Sequence, residues 1–387
     1  MTTTIIISLC VLLLLAYLFD LSAAKTRIPS VILLLLCGWV VKQVLSTVGI
    51  TLPDFSPLLP VFGTVGLILI VLEGSLELEL NKSKFQLIRK SALVALIPML
   101  GFSFFLAFLF KYYQGIAFKD AFINAVPFSV ISSAIAIPSV KSLNRYNREF
   151  VIYESSLSDI IGVILFNFVA FNSVINFSAF SDFFVQIFLV LLISFFCIIL
   201  LSFLLNRIEH HVKFVPIIIL IVLIYALCKV YHLPGLIFIM LFGLFIGNLD
   251  ELKRFTWIDK FKPNELKKEV HKFKEIIAEF AFLIRVLFFL LFGFLIETAD
   301  ILNTESLGWA LIIVITIIVI RAIALKVFKL PIQPLLFIAP RGLITILLFL
   351  SILPQNSIAL VDNALVIQVI IISALVMMFG LMTSRTK

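Results

Sequence analysis

The chain has 387 residues, of which 62% are hydrophobic and only 13% charged, with a mean hydropathy of +1.21. Water-soluble domains hold about 45–50% apolar and about 25% charged residues, so an ordinary soluble globule, a disordered chain and a fibrous one are all excluded. A net charge of +8 invites a nucleic-acid reading, but the basic residues fall in loops on one side of a membrane, which removes it.

Thirteen apolar segments are predicted to cross the bilayer, centred near Leu12, Leu35, Leu69, Ser103, Ser132, Val163, Ile193, Leu223, Met240, Leu290, Val314, Thr345 and Ile371. About 20 apolar residues suffice to cross roughly 30 Å of hydrocarbon, and only the ninth segment, Pro234 to Gly247, is short. The first, Ile5 to Phe19, has no basic residue ahead of it; Lys25 and Arg27 follow instead. It therefore reads as a retained helix with its N-terminus outside. Cys10, Cys37, Cys197 and Cys228 lie inside apolar segments without paired spacing, as small buried hydrophobes rather than a disulfide frame or metal cluster. The 41 phenylalanines are spread through the spans, where they pack helices and face lipid.

Charge placement tests the span count. Odd-numbered loops and the C-terminus carry 23 of the 30 basic residues, whereas the even loops hold Lys111, Lys119 and Lys229 only. A miscounted span would scramble that parity, so the N-terminus is expected outside and the C-terminus in the cytoplasm of the cell (inner) membrane. The ninth loop, 250–275, mixes eight basic residues with six acids and reads as a solvated amphipathic connector on the inner surface.

Lys42 can snorkel from the end of the second span. Six ionisable groups then remain deep: Glu73, Glu154, Asp159, Arg285, Arg321 and Arg341. A charge at mid-bilayer costs about 2.5–3.5 kcal/mol, and six together would exceed a typical folding free energy. They must face the bundle interior and compensate one another or a ligand. Counting 1.5 Å per residue from the cytoplasmic end, Glu154 lies about 8 Å in, Arg321 and Glu73 about 9–10 Å, and Arg285, Arg341 and Asp159 about 13–15 Å. All occupy one layer. The similar depths of Glu154 and Arg321 assign them to each other as an ion pair.

The sixth span, Tyr153-Glu154-Ser155-Ser156-Leu157-Ser158-Asp159, sets Ser155 and Asp159 on one helical stripe and Glu154 and Ser158 on its neighbour. A hydroxyl beside a carboxylate suits a small hard cation, which prefers oxygen ligands. The fifth span holds Pro127, Pro138, Ser129, Ser132 and Ser133, and is expected to break, because proline removes an amide donor and clashes with the preceding turn. Ala339-Pro340-Arg341-Gly342 in the twelfth span is its counterpart. Paired interrupted helices mark the substrate sites of transporters, since irregular backbone at membrane depth is tolerated where it lines a cavity. Leu72-Glu73-Gly74-Ser75-Leu76-Glu77 also aligns with Leu291-Phe292-Gly293-Phe294-Leu295-Ile296-Glu297, apart from one inserted residue. Their offset of seven spans is odd, which makes the repeat inverted.

These residues resemble the sodium/proton exchanger branch of the cation:proton antiporter superfamily along nearly the whole chain. That family's sixth helix carries Glu-Ser-x-x-Asn-Asp-x-x-Gly-Val-x-x-Phe, and Glu154, Ser155, Asp159, Gly162, Val163 and Phe166 stand in register. Leu72-Glu73-Gly74-Ser75-Leu76 is similar to its Phe-Glu-Gly-Gly-Leu, Arg321 to its eleventh-helix arginine, and Pro340-Arg341-Gly342 to its Arg-Gly motif. The resemblance implies thirteen transmembrane helices in an all-α fold, with two inverted repeats and broken helices five and twelve. It also implies a core (about 87–175 and 307–383) moving against a dimerisation scaffold (about 1–80 and 181–298). Asp159 would be the ion- and proton-binding carboxylate, with Ser155, Glu73, Ser132, Ser133 and Ser158 around it; Glu154–Arg321 a structural ion pair; and Arg285 and Arg341 auxiliary charges. Ser158 replaces the family's asparagine and Ser132-Ser133 its Thr-Asp, closer to the potassium-efflux branch. The cation is therefore open among sodium, lithium and potassium.

The expected activity is antiport of a monovalent cation against protons by alternating access. It is expected to be electroneutral, since no second acid flanks Asp159, although Arg285 stands where electrogenic relatives carry a lysine. The expected partners are the lipid bilayer and a second copy of the chain, with no nucleic acid and no cofactor beyond the transported ions. No tail-based regulation is expected. A membrane enzyme is disfavoured, because His210, His211, His232 and His271 all lie in loops or at a span end, and Asp159 is the only deep aspartate. A cation channel is the remaining alternative, separable by proton dependence of flux.

Overall fold

A computed structural model describes residues 2–26, 28–49, 54–78, 82–141, 143–172, 177–207, 213–249 and 263–384. In lipid every backbone N–H and C=O must find a partner inside the protein, which selects helices for these apolar sequences. The elements are α1 (Thr2–Thr26), α2 (Ser30–Val48), α3 (Leu58–Glu77), α4 (Phe85–Gln114), α5 (Phe118–Ala125), α6 (Ser133–Ser139), α7 (Arg145–Phe171), α8 (Phe177–Arg207) and α9 (Phe214–Val230). They continue with α10 (Gly235–Gly247), α11 (Pro263–Leu295), α12 (Thr298–Ile301), α13 (Thr304–Val327), α14 (Leu343–Leu350) and α15 (Asn363–Thr383). Among the described residues, eight helical segments are long and apolar enough to cross a membrane, with Phe118–Ser139 counted as one, and three more are shorter and apolar. The protein is a multi-pass integral membrane protein. Exposed rows such as Phe184, Phe188 and Phe195 on α8, or Ile315, Val319 and Ile323 on α13, form the surface that meets lipid.

Inside, α11 packs along α2 and α3, α3 along α10, and α4 along α5, α7 and α13, while α13 pairs with α15. Two glycines allow the tightest of these approaches. A Cβ at Gly38 would lie 2.2 Å from the Leu290 carbonyl oxygen, and one at Gly293 would lie 2.3 Å from that of Leu35. The backbones of α2 and α11 therefore touch, as small residues permit in membranes.

One difference from the sequence reading appears here. Residues 263–275, expected within a connector, belong to α11, which runs without a break from Pro263 to Leu295; 250–262 lie outside the described residues. Val270, Phe273 and Ile277 give this stretch a buried helical face, and its charged face pairs Lys213 with Glu269 at 2.5 Å and Lys272 with Glu269 at 3.5 Å. Lys42, expected to snorkel from the end of its span, reaches the exposed Glu297 carboxylate at 2.6 Å and donates to the Ile296 carbonyl at 3.2 Å.

Helix gives way to irregular chain twice among buried residues. After α5 come a 3₁₀ turn at Val126–Ser129 and extended residues Val130 to Ser132, before α6 begins. A 3₁₀ turn at Leu335–Phe337 and irregular residues from Ile338 to Gly342 precede α14. Orphaned backbone groups at such places are costly when buried, and here they are matched in detail. The Ile131 N–H donates to Ser158 Oγ at 2.9 Å, Ser132 N–H to the Pro340 carbonyl at 2.9 Å and Arg341 N–H to Ser373 Oγ at 3.0 Å. The Phe128 and Ala339 carbonyls accept from Arg341 Nε and Nη1 at 2.6 and 3.0 Å.

Candidate functional site

The α7 helix starts at an Asn144 cap, whose side chain accepts the Asn147 N–H. Its middle is drawn against both neighbours by glycines. A Cβ at Gly162 would meet Val130 Cγ2 at 2.3 Å, and one at Gly74 on α3 would meet Ser156 Oγ at 2.8 Å. Close approach on both sides sets Asp159 against the first interruption.

Asp159 is 1% exposed. Ser133 Oγ donates a short hydrogen bond to its Oδ2. Among the described residues its buried Oδ1 has no hydrogen-bond partner, nor does the nearby interruption's Ser132 Oγ. A carboxylate with one oxygen fixed and one unsatisfied can accept a proton or ligate a cation. Ser155 is fully buried on the same stripe of α7 and turns its hydroxyl to the Ile152 carbonyl at 3.5 Å. Ser158 acts on backbone, accepting the Ile131 N–H, so the structure ties it to the shape of the interruption.

Glu154 and Arg321 meet in a buried bidentate pair, with Nη1 to Oε1 at 2.7 Å and Nη2 to Oε2 at 2.9 Å, while Arg321 Nε donates to the Leu335 carbonyl at 2.7 Å. The fork geometry of guanidinium suits a carboxylate in this way. Arg341 lies with the two interruptions. Glu73 and Arg285 instead share the wall of a cavity of about 480 Å³ at the N-terminal end of α7, together with Lys141, Glu149 and Tyr153. Glu149 there is held by Lys84 at 3.0 Å and Arg145 at 2.9 Å. Toward the other end of α7, Val163 and Asn167 line a smaller pocket of about 140 Å³ with Thr64 of α3 and Ile344 of α14. Asp159 thus stands on the helix between two opposed cavities. Sequence reasoning missed Ser373 and the Phe128 carbonyl; a lone serine in the apolar last span was the available signal.

The model of the transmembrane sodium/hydrogen exchanger family matches residues 10–386. The chain belongs to that family. No curated protein matches the exchanger significantly. Among solved structures it is similar to the sodium proton antiporter MjNhaP1 from Methanocaldococcus jannaschii at pH 8, with 18% identity, a TM-score of 0.73 and coverage of 98% of this chain and 99% of that one. An electron-microscopy structure of the same antiporter gives 17% identity, a TM-score of 0.70 and coverage of 99% and 95%. At that identity the likeness establishes the fold alone. The exchanger is a membrane protein of cation/proton antiport, and both comparisons are with transporters.

Proposed function

We propose that the exchanger trades a monovalent cation for protons by competition at Asp159. The carboxylate binds either a proton or a dehydrated cation, and only the neutralised site crosses the barrier, so alternating access couples the two flows. The observation that carries this reading is the buried Asp159 carboxylate, with Oδ2 held by Ser133 and Oδ1 unpartnered among the described residues. Ser132, Ser155 and Glu73 supply further oxygens as the site fills or opens, Ser158 and Arg341 hold the irregular backbone, and Glu154–Arg321 is a structural pair. Arg285 sets the potential of the larger cavity.

In this reading the thirteen spans form two inverted repeats, broken at the fifth and twelfth. The core of 87–175 and 307–383 moves against the scaffold of 1–80 and 181–298, through which two copies dimerise. The N-terminus lies outside and the C-terminus in the cytoplasm of the cell membrane, so the larger cavity opens inward. With Ser158 neutral beside Asp159, one proton moves per cation, electroneutrally.

Proton flux in proteoliposomes, on adding sodium, lithium or potassium in turn, tests this with wild type beside Asp159→Asn. Sodium-driven flux that the variant lacks is the expected result. Flux driven by potassium alone would move the protein to the potassium-efflux type, a reading favoured by Ser132-Ser133. Cation flux without proton movement would make it a channel.

A further inference from the structure

A third cavity, of about 30 Å³, lies between α4, α13 and the two interruptions, bounded by Val94, Ala95, Ser129, Ile317, Arg321 and Arg341, with Pro98 on the same wall. That is room for one or two particles of water size. Both guanidinium groups on its wall are buried, Arg321 at 4% and Arg341 at 3% exposure. Arg321 is matched by Glu154 through both Nη atoms. Arg341 forms no ion pair among the described residues. Its Nε and Nη1 take the carbonyls of Phe128 and Ala339, and among the described residues its Nη2 has no hydrogen-bond partner.

Arg321, Arg341 and Glu154 together carry one net positive charge. Carbonyl ends of short helical segments offset at most about half a unit, and an uncompensated charge in a water-poor interior is strongly unfavourable. We propose that this cavity binds a small monovalent anion of halide size, held by Arg341 Nη2 with Arg321 beside it. The anion neutralises the place where the two interruptions meet. Because Arg341 also fixes the Phe128 and Ala339 carbonyls, occupancy stabilises the crossing as a whole. Water is the rival occupant. Pro98 has no N–H to give the Val94 carbonyl one turn back, so the wall also carries an acceptor that water would use, yet water leaves the net charge in place.

The test compares purified protein in chloride, bromide and gluconate at equal ionic strength, gluconate being too large for the cavity. Melting is expected about 5 °C higher in either halide than in gluconate, saturating with concentration. Crystals grown in bromide are expected to show an anomalous peak beside Arg341 Nη2. Ala95 of α4 is on the cavity wall, and Ala95→Leu, which fills the space, is expected to melt at the same temperature in halide and gluconate. Asp159→Asn is expected to keep the halide shift, which separates failure of this site from failure of the exchange mechanism. A melting temperature indifferent to halide, or a bromide map without a peak in the cavity, overturns the proposal in favour of water.

Discussion

The Ser132 amide donates to the Pro340 carbonyl oxygen at 2.9 Å, joining the two interrupted stretches backbone to backbone. Ser133, one residue on, holds Asp159. The Asp159 carboxylate is therefore placed beside a junction of irregular chain, and the side chains that brace it, Ser158 among them, can be removed singly.

Ser158→Ala leaves the Ile131 N–H buried without an acceptor, a loss of about 1–3 kcal/mol. The variant is expected to melt several degrees lower and to turn over more slowly, with Ser158→Thr restoring both. Thermal melting in detergent and flux in proteoliposomes measure the two effects.

Glu154→Gln strands the Arg321 charge in a buried site, and breaking one side of such a pair costs about 3–5 kcal/mol. Folded yield and melting temperature are expected to collapse. Arg321→Lys keeps charge but loses the two-pronged contact of 2.7 and 2.9 Å, so it is expected to fall between that variant and wild type.

At the α2–α11 contact, Gly293→Ala puts a methyl group where the Leu35 carbonyl oxygen lies 2.3 Å away. Helix backbones cannot yield as a flexible side chain does, so a loss of at least about 1–3 kcal/mol is expected. Gly308, whose Cβ would meet nothing within 4 Å, supplies the control: Gly308→Ala is expected to melt like wild type or slightly above.

On the connection between α11 and α13, burial pushes the Asp300 carboxyl above its ordinary range, with repulsion from Asp362 and Glu297 adding to it. A raised folded-state value means that stability is fully present below the unfolded value and is lost as pH rises through the folded one. Asp300→Asn is therefore expected to be more stable than wild type near pH 7, by less than about 1 kcal/mol because the group is partly solvated. The difference should vanish below the ordinary value of 3.8. Melting curves of both proteins from pH 3 to 8 check the sign.

Family membership was legible because charge in lipid is rare and its spacing along one helix is informative: Glu154, Ser155, Asp159 and Gly162 sit within three turns of α7. Depth counting put Glu154 and Arg321 at one height, and their side chains meet. What pattern alone could not supply is which polar group answers which stranded amide. Ser158, expected around the ion because it neighbours Asp159, also answers the stranded Ile131 N–H. Ser373 drew no notice, since a serine in an apolar helix commonly bonds its own preceding turn; it does so to Ile370 at 3.1 Å while also accepting the Arg341 N–H. Charge density hid the first turns of α11, where Val270, Phe273 and Ile277 recur at helical spacing and are buried, between the charged pairs.

The central claim is that H⁺ and the cation exclude each other at Asp159, and the pH dependence of cation KM on the cytoplasmic face tests it most directly. Competition at one carboxylate predicts that, on the acidic limb, KM rises about tenfold for each unit the pH falls while maximal velocity stays level, because a proton and a cation contend for one site. A KM that holds constant across that limb while maximal velocity falls would contradict it.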